Sequence, residues 1–431
     1  MKSIFKKIIA YILKKESQLV LRKYKPKIIA ITGSVGKTST KDAVYAVLAD
    51  MAYVRKSDKS YNSEIGLPLT ILGIPNGWNN PFVWFKNILK GLWLFIWPHK
   101  YPEWLVLEVG VGKPKDIHKT AAWLKTDVVI ITTIGETPSH VEFFASRKSL
   151  IEEKSNLIKT LKKDGLLILS ADDEDVLQMK NKTKNLTLTF GFKKGVDILG
   201  SGDSIFYDNN EVPKGIIFRV DENGNSFPVV NKGVFGKNHV YASLASFALV
   251  SGLKFNMVNA INALANYDVA PGRMRLLEGI DGTLIIDDTY NSSPFACEFA
   301  LKTLAEVKSS GRKIAILGDM LELGKHTVEA HKNIGKIVKE NADMLVVVGP
   351  RAKAIKEGAL ENGMIKKNIF EFLNSTEVGE FIKTFIKKGD LILVKGSQGM
   401  RMEWVVEAIL LDQENKEKLL VRQDAEWKKK K

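Results

Sequence analysis

Residues 27–41 read Lys-Ile-Ile-Ala-Ile-Thr-Gly-Ser-Val-Gly-Lys-Thr-Ser-Thr-Lys, types and spacings suited to holding phosphate. Gly33 and Gly36 let the backbone N–H groups of Gly33, Ser34, Val35 and Gly36 turn inward onto phosphate oxygens. A helix starting at Lys37, with Ser39 in its first turn, adds partial positive charge. The Lys37 amine can reach terminal phosphates, and the Thr38 hydroxyl is of the type that ligates Mg²⁺. The spacing Gly-x-x-Gly-Lys-Thr is two residues shorter than the general P-loop pattern, so the strand–turn–helix setting carries part of the assignment. An ordinary glycine turn would not require Lys-Thr directly after its second glycine.

Other polar residues sit at strand ends. Glu108 closes the apolar run Trp104-Leu-Val-Leu-Glu, where a P-loop sheet would set a carboxylate beside the phosphates to hold Mg²⁺. His140 lies in the loop Gly135-Glu-Thr-Pro-Ser-His, and Lys154 on the helix after it. Taken alone, such a histidine is ordinarily structural and such a lysine solvated. Further along, Asp287-Asp288-Thr-Tyr-Asn291, Gly318-Asp319-Met-Leu-Glu322 and Lys395-Gly-Ser397 through Arg401 each follow an apolar run. Polar clusters at successive strand ends point to one shared site, since α/β sheets bind ligands there.

The elements that must position them alternate. Strands are expected at 27–32, 104–109, 127–134 and 165–170, with helices between, including 37–48; that rhythm predicts a doubly wound, mostly parallel sheet. Residues 186–235 change to short β runs such as Gly215–Val220 broken by Gly, Asn and Asp, and a helical segment follows from about His239 to Ser251. Pro271-Gly272 marks a boundary near 266–273. Strands at 283–287, 313–317, 344–348 and 391–394 then begin a second α/β rhythm. The expected fold is α/β: a P-loop central domain over 27–270 with a mostly parallel sheet, then a Rossmann-like C-terminal α/β domain over 271–431. The basic tail Trp427–Lys431 reads as frayed.

The chain has 431 residues, an ordinary globular composition and one cysteine, Cys297, which excludes an internal disulfide framework. Six histidines without a Cys/His cluster speak against structural zinc. No signal peptide is evident, because lysines interrupt the apolar residues of the N-terminus. A net charge of +15 implies an anionic partner, and without an RNA or recognition-helix motif nucleic acid ranks last. Within 1–26, Ile4, Phe5, Ile8, Ile9 and Ile12 share a helical face ringed by Lys2, Lys6, Lys7, Lys14 and Lys15. That basic amphipathic helix suits either an anionic membrane or its own domain. The insert 78–104 holds five of the eight tryptophans, and Phe82–Trp97 is too short to span a bilayer. Interfacial insertion and burial against a neighbour are its two readings.

Taken together, these segments resemble the Mur ligase family, most closely the branch that adds D-alanyl-D-alanine to a peptidoglycan precursor. The resemblance rests on Thr32 to Thr38, Asn62-Ser-Glu-Ile-Gly-Leu-Pro68, Glu108-Val-Gly110, Ile134 to His140, Lys154, Ala171-Asp-Asp173, Gly272-Arg-Met274, Asp287 to Pro294, Gly318 to Gly324, His331 and Lys395 to Glu403. It implies ATP-dependent amide bond formation through an acyl phosphate. Lys37 would stabilise the transferring phosphoryl group, and Thr38, Glu108 and His140 would help hold Mg²⁺. Lys154 would be carbamylated and join the metal ligands. Arg273, Asp288 and His239 would meet the nucleotide. Asn62, Asn291, Asp319, Glu322, Lys395, Ser397 and Arg401 are the implied substrate residues.

The sequence also departs from that family. About 30 residues precede the P-loop, where the family carries a domain that grips a UDP-sugar. Gly236-Lys-Asn238-His239 exchanges the His and Asn of the usual order. The expected function is a cytoplasmic, cell-wall ligase joining a precursor carboxylate to D-alanyl-D-alanine or a similar amine. The alternative is a ligase for another amino acid on a non-UDP, lipid-linked acceptor, reached from the inner membrane face. A non-enzymatic ATP-binding subunit is disfavoured by the retained Lys37, Thr38, Glu108, His140 and Lys154.

Overall fold

The computed structural model of the chain describes residues 3–57, 61–138, 140–265, 267 and 269–428, with residues 3 and 4 in backbone only. Lys2 and the Ile4 side chain of the basic helix, Ser139, Asn266 and Asp268 at the expected boundary, and Lys429–Lys431 of the tail lie outside the described residues.

Among the described residues the first sheet is built from β1 (Lys27–Thr32), β2 (Val54–Lys56), β3 (Trp104–Glu108), β4 (Thr126–Ile131), β5 (Leu161–Ser170), β6 (Leu186–Gly191), β7 (Ile198–Tyr207), β8 (Pro213–Glu222) and β9 (Asn225–Lys232). Their order is β2-β3-β1-β4-β5-β6-β7-β8-β9, parallel as far as β7 and antiparallel through β8 and β9. Side chains alternate across β1, so Ile29 and Ile31 join one core while Ile28 and Ala30 join the other. The first core is covered by α2 (Lys37–Ala49) and the helices Lys237–Gly252 and Met257–Leu264. The second is covered by α1 (Ser3–Tyr24), α3 (Gly66–Leu72) and the inner side of α4 (Pro81–Ile96). Each fully buried aliphatic side chain in these layers contributes about 1.5–3 kcal/mol.

A second sheet comprises β10 (Arg275–Glu278), β11 (Leu284–Asp288), β12 (Lys313–Gly318), β13 (Met344–Val348), β14 (Ile369–Phe372) and β15 (Leu391–Lys395). Its order is β10-β11-β15-β12-β13-β14, with β10 antiparallel to its neighbour. Register does the positioning. Ile31 pairs with both Glu108 and Ile130, and Lys395 pairs with both Asp288 and Leu317. In each sheet the polar residues thus leave the strands along one edge.

Two expectations need correction. The strand expected to reach residue 134 ends at Ile131, because the next residues are diverted: Thr132 Oγ1 donates to Val35 O (2.7 Å), while Ile134 N and Gly135 N donate to Asp173 Oδ2 (2.8 and 3.0 Å). The described part of the tail is not frayed, since the Trp427 ring packs on Arg401, Arg422 and Trp78. Of the two basic or aromatic segments, α1 buries Ile9, Leu13 and Val20 on its own domain. α4 buries Trp84, Asn87 and Gly91 and leaves most of its large apolar residues outside.

Candidate active site

The P-loop hangs from the segment that follows β4, with Ser34 N and Val35 N both donating to Thr133 O (2.9 and 3.1 Å). Gly33 must be glycine: at φ 147° a Cβ would lie 1.9 Å from Thr132 Oγ1. Gly36, at φ 84°, turns the chain into α2. Two lysines converge on one carbonyl. Lys37 Nζ donates to Gly33 O (2.9 Å) and Ser34 O (3.1 Å), and Lys154 Nζ donates to Gly33 O (2.8 Å) from the helix Arg147–Ser155. Burial pushes the Lys37 ammonium below the usual lysine range, with Glu108 opposing and Arg273 reinforcing the shift. Lys154, 2 % exposed, is pushed well below it by burial and then by Lys37, with Glu153 opposing.

Glu108 is 1 % exposed and reaches the same place from β3. Its Oε2 accepts from Thr38 Oγ1 (2.9 Å) and its Oε1 from Asn62 Nδ2 (3.0 Å). Gly110 allows the approach, as a Cβ there would meet the Asn62 amide at 2.7 Å. Arg273 crosses from the interdomain linker, with one terminal guanidinium nitrogen donating to Thr38 Oγ1 (3.0 Å) and its plane 3.8 Å from the Tyr290 ring centroid. Its Nε is buried and without a partner, as is the Ser34 hydroxyl. Such orphaned donors are costly in a folded protein and are characteristic of a site shaped for an anion.

Across the cleft, Lys395 Nζ donates to Asp288 Oδ2 (2.5 Å) and Asn291 O (2.9 Å). Burial raises the Asp288 carboxyl and the Lys395 ammonium pulls against it. Asp288, Asn291 and Lys395 share this cleft with Ser34, Val35, Gly36, Ser39 and Arg273. His239 borders it too, but both ring nitrogens are engaged, Nδ1 with Tyr267 Oη (2.9 Å) and Nε2 with Arg273 O (2.8 Å). Burial pushes its imidazole down to about 4, so the neutral ring braces the linker. The neighbouring Asn238, the other half of the exchanged His/Asn pair, also lines the cleft. Asp287, of the acidic pair at its strand end, is structural: buried and pushed up to about 6, it accepts from Gly272 N (3.1 Å) and ties the linker to β11.

Of the remaining expected residues, His140 and Glu322 meet across the domain junction, and Asp319, Ser397 and Arg401 are engaged within the C-terminal domain. His140 Nδ1 pairs with Glu322 of the C-terminal domain, and Glu142 Oε2 accepts from Gly324 N (3.2 Å) beside it. That His140 pairing holds Glu322 below the usual carboxylate range. Asp319 accepts from Arg351 N (3.0 Å) and Ala352 N (2.7 Å), and Ser397 Oγ accepts from Leu321 N (2.8 Å). Arg401 Nε donates to Glu403 (2.6 Å), which Arg422 grips from the other side (2.8 Å). Among the described residues no three of His, Cys, Asp and Glu come together as a metal cluster. The structure brings Gly33 to Ser39, Asn62, Glu108, Lys154 and Arg273 into one locus, while His140 stands apart with Glu322.

The family description "Mur ligase middle domain" matches residues 31–250, and "Mur ligase, glutamate ligase domain" matches 272–398. The UDP-N-acetylmuramoyl-tripeptide–D-alanyl-D-alanine ligase of Bacillus subtilis is 30 % identical over 387 residues, covering 89 % of this chain and 76 % of that protein. Its Buchnera aphidicola counterpart (Acyrthosiphon pisum symbiont) is 27 % identical, covering 92 % and 79 %. Among solved structures, the MurF ligase of Thermotoga maritima in complex with ADP superimposes with a TM-score of 0.76 at 27 % identity, over 93 % of this chain and 83 % of that one. Folylpolyglutamate synthase of Mycobacterium tuberculosis shares the fold, with a TM-score of 0.63 at 15 % identity over 91 % and 94 %.

Proposed function

Because the chain belongs to the Mur ligase family, we propose that it is an ATP-dependent ligase that joins D-alanyl-D-alanine, or a similar amine, to a cell-wall peptide precursor. One observation carries this reading: Lys37, Lys154 and Arg273 converge on Gly33–Thr38, where the Arg273 Nε and Ser34 Oγ lack partners. The triphosphate of ATP supplies what those groups lack. A precursor carboxylate oxygen attacks the γ-phosphorus and ADP leaves, forming an acyl phosphate. The amine then attacks the acyl carbon, loses a proton and expels phosphate. Lys37 and Arg273 neutralise charge on the transferring group, and the fold contributes positioning.

Hard oxygen donors at Thr38 and Glu108 fit Mg²⁺, which neutralises phosphate charge when bound. Lys154 does not fit as an ammonium. Its burial favours the neutral amine, whose nitrogen would add to CO₂ with loss of a proton to solvent and give a carbamate, a carboxylate-like group able to join the same set. His140 would join that set only on leaving its Glu322 contact. Asp288, Asn238 and Ser39 face the nucleotide, with His239 bracing Arg273 from behind. Asn291 and Lys395 meet the incoming amine, Asn62 aims Glu108, and Asp319, Glu322, Ser397 and Arg401 shape the amine pocket. The reaction belongs in the cytoplasm, where ATP and the precursor meet.

Phosphate release is measured with D-alanyl-D-alanine and either UDP-N-acetylmuramoyl-tripeptide or its lipid-linked counterpart. Turnover requiring both substrates, confirmed by product mass and lost in Lys37→Ala, is expected. Silence with every acceptor and amine tried, despite a folded protein, overturns the reading. Turnover with the lipid-linked acceptor alone selects the second reading, which the outward apolar face of α4 favours.

A further inference from the structure

We propose that the paired helices α1 and α4 form a docking surface for an anionic lipid bilayer. The proposal goes beyond the ligase reading and does not depend on it. α4 is amphipathic in the inverted sense. Its inner stripe carries Trp84, Asn87 and Gly91, and Asn87 Nδ2 donates to Pro75 O (2.8 Å). Its outer stripe carries Phe82, Phe85, Leu89, Leu92, Trp93 and Ile96, with Phe82 at 83 % and Trp93 at 55 % exposure. At 100° per residue these six fall within about a quarter-turn to a third of the helix circumference, with Lys86 and Lys90 beside them. α1, packed beside it, also leaves Ile8 and Tyr11 exposed.

The patch is held rigidly outward. Gly91 lies so close to α1 that a Cβ there would be 2.3 Å from Glu16 Oε2. Lys23 Nζ donates to the carbonyls of Phe95 (2.7 Å) and Trp97 (2.6 Å), and Tyr24 Oη to Leu94 O (2.9 Å), capping the end of α4 from α1. The face therefore cannot turn inward to bury itself. A contiguous apolar surface of this kind marks an interaction site.

Charge selects the occupant. Residues 1–26 contain eight Lys and Arg against the single acid Glu16, which is buried, and residues 78–102 contain Lys86, Lys90 and Lys100 with no acid at all. A large apolar face on two helices whose own exposed charges are all cationic matches lipid acyl chains under anionic headgroups, with Trp93, Trp97 and Tyr11 of the type that settles at headgroup depth. No helix among the described residues is long and apolar enough to cross a membrane, so the contact lies in the plane of the interface.

The test is flotation of the full chain with vesicles of phosphatidylcholine, alone or mixed with phosphatidylglycerol, at low and moderate salt. Expected is co-flotation with the anionic vesicles, weakened by salt, with a blue-shifted tryptophan emission. The paired change Phe85→Glu and Trp93→Glu, at exposed positions remote from the ligase residues, should weaken partitioning at least about tenfold and leave unfolding and phosphate release unchanged. Lys86→Glu with Lys90→Glu should weaken it several-fold. Absence of flotation at low salt overturns the proposal. So does flotation that survives the Phe85/Trp93 change. A dimer that this change dissociates, without any lipid binding, assigns the face to a second copy instead.

Discussion

Lys154 shows how a residue acquires chemistry from its neighbours. On sequence it is one of many lysines, and its helix gives no hint that it is buried. The fold aims its amine at the Gly33 carbonyl and sets Lys37 beside it, which is a poor place for a second positive charge. We expect ¹³C-labelled bicarbonate to give a carbamate signal that Lys154→Met removes, with turnover falling by about 10²-fold or more. An unchanged spectrum with full activity in the variant would exclude that role. The P-loop was legible because its chemistry is local: glycines, lysine and threonine in sequence. Glu108 was legible as a strand end. Asn238 and His239 were not separable in the same way. Which of two adjacent side chains faces the cleft depends on Tyr267 and the Arg273 carbonyl, which claim the imidazole from distant segments.

At the level of elements, long strands with apolar alternation were readable, whereas β2, β10 and β14 are three or four residues each and too short to carry a pattern. The direction in which α4 faces was equally hidden, because an apolar stripe says nothing about whether protein or solvent lies against it. The α1–α4 contact also carries a pH signature. Both oxygens of Glu16 lack partners, and burial pushes the carboxyl up to about 7. Since the folded form holds its proton more tightly than the unfolded chain, Glu16 stabilises the fold fully at low pH. That contribution is lost as pH rises from about 4.5 through about 7. After allowance for water at the helix edge the loss is about 2 kcal/mol. Denaturant titrations at pH 5 and pH 8 should show this decline in the parent and a flatter response in Glu16→Gln. Equal slopes in the two proteins would rule it out.

For the molecule as a whole, the ligands of the cleft are divided between two domains, Thr38 and Glu108 on one side and Asp288 and Lys395 on the other, with Arg273 spanning the gap. We expect nucleotide binding and domain closure to be linked equilibria, with the nucleotide protecting both domains from proteolysis together. The last described helix adds a less obvious connection. Trp427 meets Trp78, at the root of α4, with centroids 6.5 Å apart, and lies 5.8 Å from the Arg422 guanidinium. Arg422 donates to Tyr290 O, and the Tyr290 ring carries the Arg273 guanidinium, which itself donates to Thr38. These contacts, one of them through the Tyr290 carbonyl, run from the root of α4 to the phosphate loop. A load applied at one end has a material path to the other, so the carboxyl-terminal tryptophan acts as a transmission part rather than an ornament of the tail. Trp427→Ala, far from any substrate, should raise the KM for ATP by a few-fold while leaving the phosphate-loop residues in place. Unaltered nucleotide kinetics would show that this path is packed but idle.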